Sequence, residues 1–184
     1  FEGCKPYGMG FTLTPDAARE IIERNDKNRD CLFPFLNGDD LNSSPTQSAS
    51  RWAINFWDWP EGRAKAYPEL FAILDGNVRP ERQRIKPNGE YALRHPLPTL
   101  WWIYGEKRPA MFHAIGRHQF FEKHPKNVNY PDQPLERVIA STRTTKYVAA
   151  TFFRETIIFD QGLIVFPLKS AYFITVMHSS IYDA

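Results

Sequence analysis

The chain has 184 residues, of which 42% are hydrophobic, 15% aromatic and 24% charged; this is enough apolar content for a buried core, and too much for a disordered or collagen-like chain. No apolar run approaches the roughly 18 to 20 residues of a membrane-spanning helix. The net charge of +2 is an average over unlike parts, because residues 1–78 sum to −4, residues 79–146 to +7 with four of the five histidines, and residues 147–184 to −1; a basic face from the middle segment is therefore expected.

In chain order, Thr14-Pro15-Asp16 reads as a helix start, with Thr14 as cap, Pro15 at the first helical position and Asp16 at the positive end of the dipole. Ala17, Ala18, Ile21 and Ile22 supply the apolar stripe and the helix should end near Asn25. The segment Arg51 to Phe56 alternates polar and apolar residues as a strand does. A second helix is expected over Pro68 to Leu74, stopped by Gly76, and a third over Pro109 to Ile115, closed by Gly116. Between them, Pro80 to Thr99 is basic and rich in Gly and Pro, the composition of a surface loop. Arg137 to Ala140 reads as a strand, and three apolar runs follow at Tyr147–Phe153, Thr156–Phe159 and Leu163–Leu168. Short turns such as Asp160-Gln161-Gly162 separate them, which predicts antiparallel hairpins. The expected class is α+β: a mostly antiparallel sheet with a few short helices and long loops, forming one domain over residues 1–184.

Signals for chemistry within the chain are weak. Cys4 and Cys31 are too few for a disulfide scaffold or a Cys-based zinc site and suggest a reducing, cytoplasmic setting. Gly8-Met9-Gly10 lacks the third glycine of a dinucleotide loop. No Asn-Pro-Pro-aromatic run is present to grip an extruded adenine, no Lys has an acidic residue two places before it as a common metal nuclease requires, and the adjacent Asp39 and Asp40 fit turn and capping roles better than a metal site. The expectation is a segment with no catalytic residue and no metal, cut from a longer protein, with surface or phosphate-facing histidines. What remains is a basic segment interleaved with aromatics. Trp101 and Trp102, near Tyr104, Lys107 and Arg108, offer stacking planes and cations, although paired tryptophans also divide between core and surface. Ser141-Thr142-Arg143-Thr144-Thr145-Lys146 places six hydrogen-bonding side chains between two apolar strands; they could read base edges in a major groove, or form a polar turn.

Several blocks resemble the target-recognition region of MmeI-like (type IIL) DNA methyltransferases: Gly8-Met9-Gly10-Phe11-Thr12-Leu13-Thr14-Pro15, Leu32-Phe33-Pro34-Phe35-Leu36-Asn37-Gly38-Asp39-Asp40-Leu41-Asn42, Ser50-Arg51-Trp52-Ala53-Ile54-Asn55-Phe56, Val78-Arg79-Pro80-Glu81-Arg82 and Trp101-Trp102. The similarity runs through the chain in order. It implies a sequence-specific double-stranded DNA recognition domain of an adenine-N6 methyltransferase or restriction-modification enzyme. An upstream domain of the same chain would bind S-adenosylmethionine, and the present segment would need no cofactor. The base readers would lie where the strand after the Trp-Trp block turns into the next, here Ser141, Arg143, Thr144, Thr145 and Lys146. Relatives are often Ser-rich there, whereas this chain has Thr142, Thr144 and Thr145. Arg79, Arg82, Arg84, Lys86, Lys107, Arg108 and Arg117 are candidates for contacts to the DNA backbone, with Trp101 and Trp102 as stacking platforms. The alternative is a protein-protein docking module of a multi-subunit DNA-processing complex, its acidic first part and basic middle contacting other subunits.

Overall fold

The structure is a computed structural model that describes residues 1–124, 129–144, 150–154 and 156–179. Thr14 opens the first helix as expected: its Oγ1 accepts the Ala17 N–H at 3.2 Å, Pro15 occupies the first position, and α1 (Pro15–Arg24) buries Ala18, Ile21 and Ile22. Ahead of it lies β1 (Thr12–Leu13), and after it β2 (Leu32–Leu36), α2 (Gly38–Ser43) and β3 (Arg51–Ile54). Two short helices, α3 (Glu61–Ala64) and α4 (Pro68–Asn77), follow, and α5 (Arg79–Arg82) continues almost directly from α4. Gly76 therefore does not stop the second helix. The α-helical path ends at Val78, whose N–H bonds to Leu74 O, and Pro80 then suits the first turn of α5.

The expected loop beyond Pro80 is thus helical at its start. It then makes a turn closed by the Ile85–Tyr91 bridge and stays exposed as far as Pro96 except at the half-buried Ala92 and Leu93. Helix α6 (Pro109–Ala114) ends as the sequence suggests. Gly116 sits at φ 82°, Arg117 N–H bonds to Phe112 O and Gly116 N–H to His113 O, a Schellman closure. A Cβ at Gly116 would lie 2.2 Å from Gln133 O, so the glycine is required both by its backbone angle and by the neighbouring chain.

The strands form two sheets and the class is α+β. In the first, of order β1-β3-β2-β6, β6 (Ile158–Phe159) pairs with β2 in parallel and the other pairings are antiparallel. In the second, β4 (Val138–Thr142) lies between β5 (Ala150–Phe153) and β7 (Leu163–Phe166), antiparallel to both. The three late apolar runs consequently do not form successive hairpins. Ile158 and Phe159 are both fully buried, so both faces of that short strand are covered, and it crosses to the other sheet to find a partner. The chain's first residues run between the sheets: Gly3 N–H bonds to Leu163 O, Cys4 N–H to Phe159 O, and Glu2 bridges Ile164. Helix α7 (Ala171–Met177) follows β7, with none of its residues buried.

One continuous apolar cluster takes side chains from both sheets and from α1, α4 and α6, including Ile22, Phe33, Ile54, Leu70, Phe112, Val138 and Val165. One buried polar group is held by several partners. Asp58 accepts the N–H groups of Glu122 and Lys123 at 2.8 Å each and has His124 Nδ1 at 2.8 Å. Burial alone would push its carboxyl up, but the hydrogen bonds from Glu122, His124 and Lys123 outweigh that and hold it below the usual carboxylate range.

Candidate functional site

All five residues of β4 are buried, so the strand delivers the chain to the surface at a fixed point, and Arg143 and Thr144 are the first exposed residues beyond it. Ser141 and Thr142, expected among the exposed hydrogen-bonding side chains of the turn, are each only 7% exposed. They stand in ladder positions opposite Ile164 and Leu163, and Arg143 N–H still bonds to Gly162 O at 2.8 Å. Thr145 and Lys146 lie outside the described residues. The available part of the expected reading turn is therefore Arg143 with Thr144, and Thr142 supports them from below.

Beside this exit stands α2. Asn37 and Asp40 form a reciprocal cap: Asn37 Oδ1 accepts the Asp40 N–H at 3.0 Å and Asp40 Oδ2 accepts the Asn37 N–H at 3.3 Å. Asp40 Oδ2 also accepts the Ser50 N–H, which ties α2 to the start of β3. Helix α2 lies against β4: a Cβ on Gly38 would be in van der Waals contact, 3.8 Å from Thr142 Cγ2, and Thr142 Oγ1 donates to Asn42 Oδ1 at 3.4 Å. The result is a polar groove of about 500 Å³ between α2, the end of β4 and the β6–β7 turn, lined by Asp39, Asn42, Thr142, Arg143, Thr144 and Gln161. Gly38, Asp39 and Gln161 also border a second cleft of about 690 Å³, so the two are continuous. The second cleft adds Lys5, Tyr7, Met9, Arg51 and Asp160. Burial raises the Asp160 carboxyl above its ordinary range, against the pull of the Gly162 and Gln161 N–H groups and of Lys5.

Arg143 is not isolated. Its guanidinium meets the Glu2 carboxylate, which also holds Arg108, and Arg108 in turn reaches Glu106. Glu106 accepts from Tyr7 Oη at 3.0 Å.

Several expected DNA contacts are overturned by burial. Arg82 has no exposed surface, and its guanidinium donates to the carbonyls of Pro6, Tyr7, Leu100, Trp101 and Ile103; desolvation lowers its pKa to about 10. Arg117 is 3% exposed, with its guanidinium carbon 4.9 to 5.4 Å from the ring centres of Phe33, Trp57, Phe112 and Phe120, and it donates to Ile157 O. Neither can reach a phosphate. Trp101 and Trp102 are core residues as well: Trp101 packs on Phe71, and Trp102 Nε1 donates to Trp59 O at 3.0 Å, so neither ring presents a face to a base. His113 is buried too, which corrects the expectation of exposed histidines in this segment.

The remaining candidates are dispersed. Arg79 is exposed but paired with Asp75 and Gln83. Arg84 and Lys86 are exposed, with no side-chain partner among the described residues. Lys107 is half-buried, and burial lowers its ammonium pKa. None of the seven backbone candidates lines the groove beside Arg143. The cations that border the adjoining cleft, Lys5 and Arg51, lie in the acidic first part of the chain and were missed. The only signal for Arg51 was its polar position in an alternating strand. Among the described residues, no three His, Cys, Asp or Glu side chains gather to hold a metal, and no helix is long and apolar enough to cross a membrane.

The fold, two small sheets with short helices, is similar to a segment of a much longer protein. Comparison with protein-family profiles and with curated proteins gives no match. Among solved structures the chain is similar to the type IIL restriction-modification enzyme MmeI, solved in complex with DNA, with a TM-score of 0.63 and 13% identity over 99% of this chain and 21% of that one. At that identity the shared property is the fold, and the chain spans about a fifth of its structural neighbour.

Proposed function

We propose that this chain is a sequence-specific double-stranded DNA recognition domain, and that it serves an adenine-N6 DNA methyltransferase or restriction-modification enzyme by holding the target site for an upstream catalytic domain. The observation that carries the reading is the exit of β4: Arg143 and Thr144 emerge from a rigid, fully paired strand into a polar groove, in a fold shared with part of a DNA-bound restriction-modification enzyme. A guanidinium on a rigid strand end can make two hydrogen bonds to guanine O6 and N7, and a threonine hydroxyl can bond to any base edge. Arg84, Lys86, Lys5 and Arg51 are the exposed or cleft-lining cations suited to phosphates. Thr145 and Lys146 continue the reading turn in this proposal. S-adenosylmethionine belongs to the catalytic domain of the parent chain and not to this segment.

The test is selection from a pool of randomised duplexes, followed by mapping of methylated adenines when the full-length parent is expressed in a host without adenine methylation. A defined consensus, relaxed at one or two positions by Arg143→Ala or Lys146→Ala, is expected. Failure to enrich any sequence, with binding absent at every salt concentration, refutes the reading. One feature favours the docking alternative: α7 exposes Tyr172, Phe173 and Val176, the first at 69%. Stable capture of a protein partner by a chain that binds no DNA would establish it.

A further inference from the structure

The block from Asn37 to Asn42 contains two adjacent aspartates with different structural situations. Asp40 is buried and fully employed, in the cap of α2 and in the bond from Ser50. Asp39 is exposed, borders both the groove and the neighbouring cleft, and its carboxylate has no hydrogen bond or ion pair among the described residues. Its backbone is nevertheless fixed, because the cap ties Asn37 to Asp40 and the Thr142–Asn42 bond joins α2 to β4. The residue thus stands on a rigid support and lines the same groove as Arg143 and Thr144 at the β4 exit, with Asn42 and Gln161.

A carboxylate in that position is unfavourable for a phosphate strand, since like charges repel without a compensating partner. It suits a base edge. In the major groove, carboxylates accept from the exocyclic amine of cytosine, and a wrong base there leaves the acceptor unpaired and desolvated. Asp39 borders both clefts; Lys5 and Arg51, together with Glu81 and Asp160, line one and Arg143 lines the other, so cations are at hand in each for flanking phosphates.

We propose that Asp39 is a specificity-determining residue that reads cytosine through its N4 amine, at a position within two base pairs of the one read by Arg143. The proposal rests on the DNA-reading function above. It enlarges the reading surface from the turn after β4 to a two-walled groove, with α2 as the second wall.

The experiment is duplex selection with the wild-type chain and the Asp39→Ala, Asp39→Asn and Arg143→Ala variants, each checked by thermal melting. Because Asp39 is exposed and its side chain makes no hydrogen bond or ion pair among the described residues, its variants should melt within a few degrees of the wild type. The wild-type consensus should contain a cytosine within two base pairs of the position lost in Arg143→Ala. Asp39→Ala should reduce the preference for that cytosine by roughly fivefold or more and leave the other positions intact, with affinity for random duplex unchanged or raised by the loss of a negative charge. Asp39→Asn should move the preference toward adenine, which an amide can bond through N6 and N7. A wild-type consensus retained at every position by both Asp39 variants overturns the proposal and leaves the recognition function standing. A wild type that enriches no sequence overturns both.

Discussion

Replacing Arg82 separates a structural cation from a DNA-binding one. Its Nη1 faces the carbonyls of Leu100, Trp101 and Ile103 at 3.4, 3.3 and 2.7 Å, and its Nη2 faces those of Pro6 and Tyr7. Four N–H hydrogens therefore serve five acceptors, and Nε is buried without a partner. At the low end of about 1.5 to 3 kcal/mol per bond to a charged group, four such bonds supply about 6 to 8 kcal/mol. Burial opposes this: a guanidinium whose pKa drops from 12.5 to about 10 is disfavoured by about 3 kcal/mol. The net loss in Arg82→Ala is thus about 3 to 5 kcal/mol, in line with removing one partner of a buried charged group. For a domain of this size that corresponds to a fall of roughly 6 to 20 °C in melting temperature. Arg82→Lys keeps the charge but presents one point donor to two segments of chain, and should recover less than half of the loss. The assay is thermal melting of the three proteins by circular dichroism, with a salt titration of duplex binding on the folded fraction. If Arg82→Ala melted within about 2 °C of wild type while the slope of log affinity against log salt fell by about one, Arg82 would be a phosphate contact and the buried assignment would be wrong.

Three further outcomes follow from the same structure. His113 is held neutral below its ordinary pKa of 6.5, chiefly by burial and then by His118 and His124, with Asp58 opposing; the unfolded chain takes up this proton first, so stability should decline as pH drops below about 6.5, and His113→Phe should remove that part of the slope in urea unfolding at pH 7.5 and 5.5. A wild-type stability that is flat over that interval would contradict it. Glu2→Gln releases Arg143 and leaves Arg108 on Glu106, and it should raise affinity for random duplex severalfold at low salt, with the difference fading near 0.5 M as screening shortens to a few ångströms; equal binding at all salts would show that Glu2 does not restrain Arg143. Gly116→Ala must hold a left-handed angle and push back Gln133, at a cost above about 2 kcal/mol, and a melting temperature equal to that of wild type would refute the closure drawn for α6.

Local signals were legible where the physics is local. The Thr14 cap, the Gly116 closure and the strand at Arg137–Ala140 each depend on a few adjacent residues, and each is present in the structure. The strand at Leu32–Leu36 carries no clear sequence signal, since it holds a proline, which is disfavoured in a strand interior; β2 tolerates Pro34 one residue before its ladder to β6 begins. The destination of β6 was equally illegible, since short turns favour neighbours and only the tertiary burial of Ile158 and Phe159 sends the strand elsewhere. Charge was the least reliable guide to the site. A count gives +7 for residues 79–146, but two of those charges, Arg82 and Arg117, are inside the protein and a third, Arg108, is matched by Glu2 and Glu106. Aromatic character misled in the same way, because Trp101 and Trp102 beside cations describe a stacking platform and a core equally well until their exposure is known. The groove itself joins α2 to a strand about 100 residues later, and no spacing rule encodes that meeting.

The position of the first five residues bears on how the protein folds as it is made. Phe1 exchanges bonds with Val165, Gly3 bonds to Leu163 and Cys4 to Phe159, so this segment has no partner until the strands near residue 160 have followed it. Closing so long a loop costs little more free energy than closing one half its length, and the consequence is one of timing: the two sheets can be locked together only late. A nascent or truncated chain that stops before residue 158 would lack β6 as well, and would expose the edge of β2 together with the unpaired segment 1–5, two ready templates for mispairing with another copy.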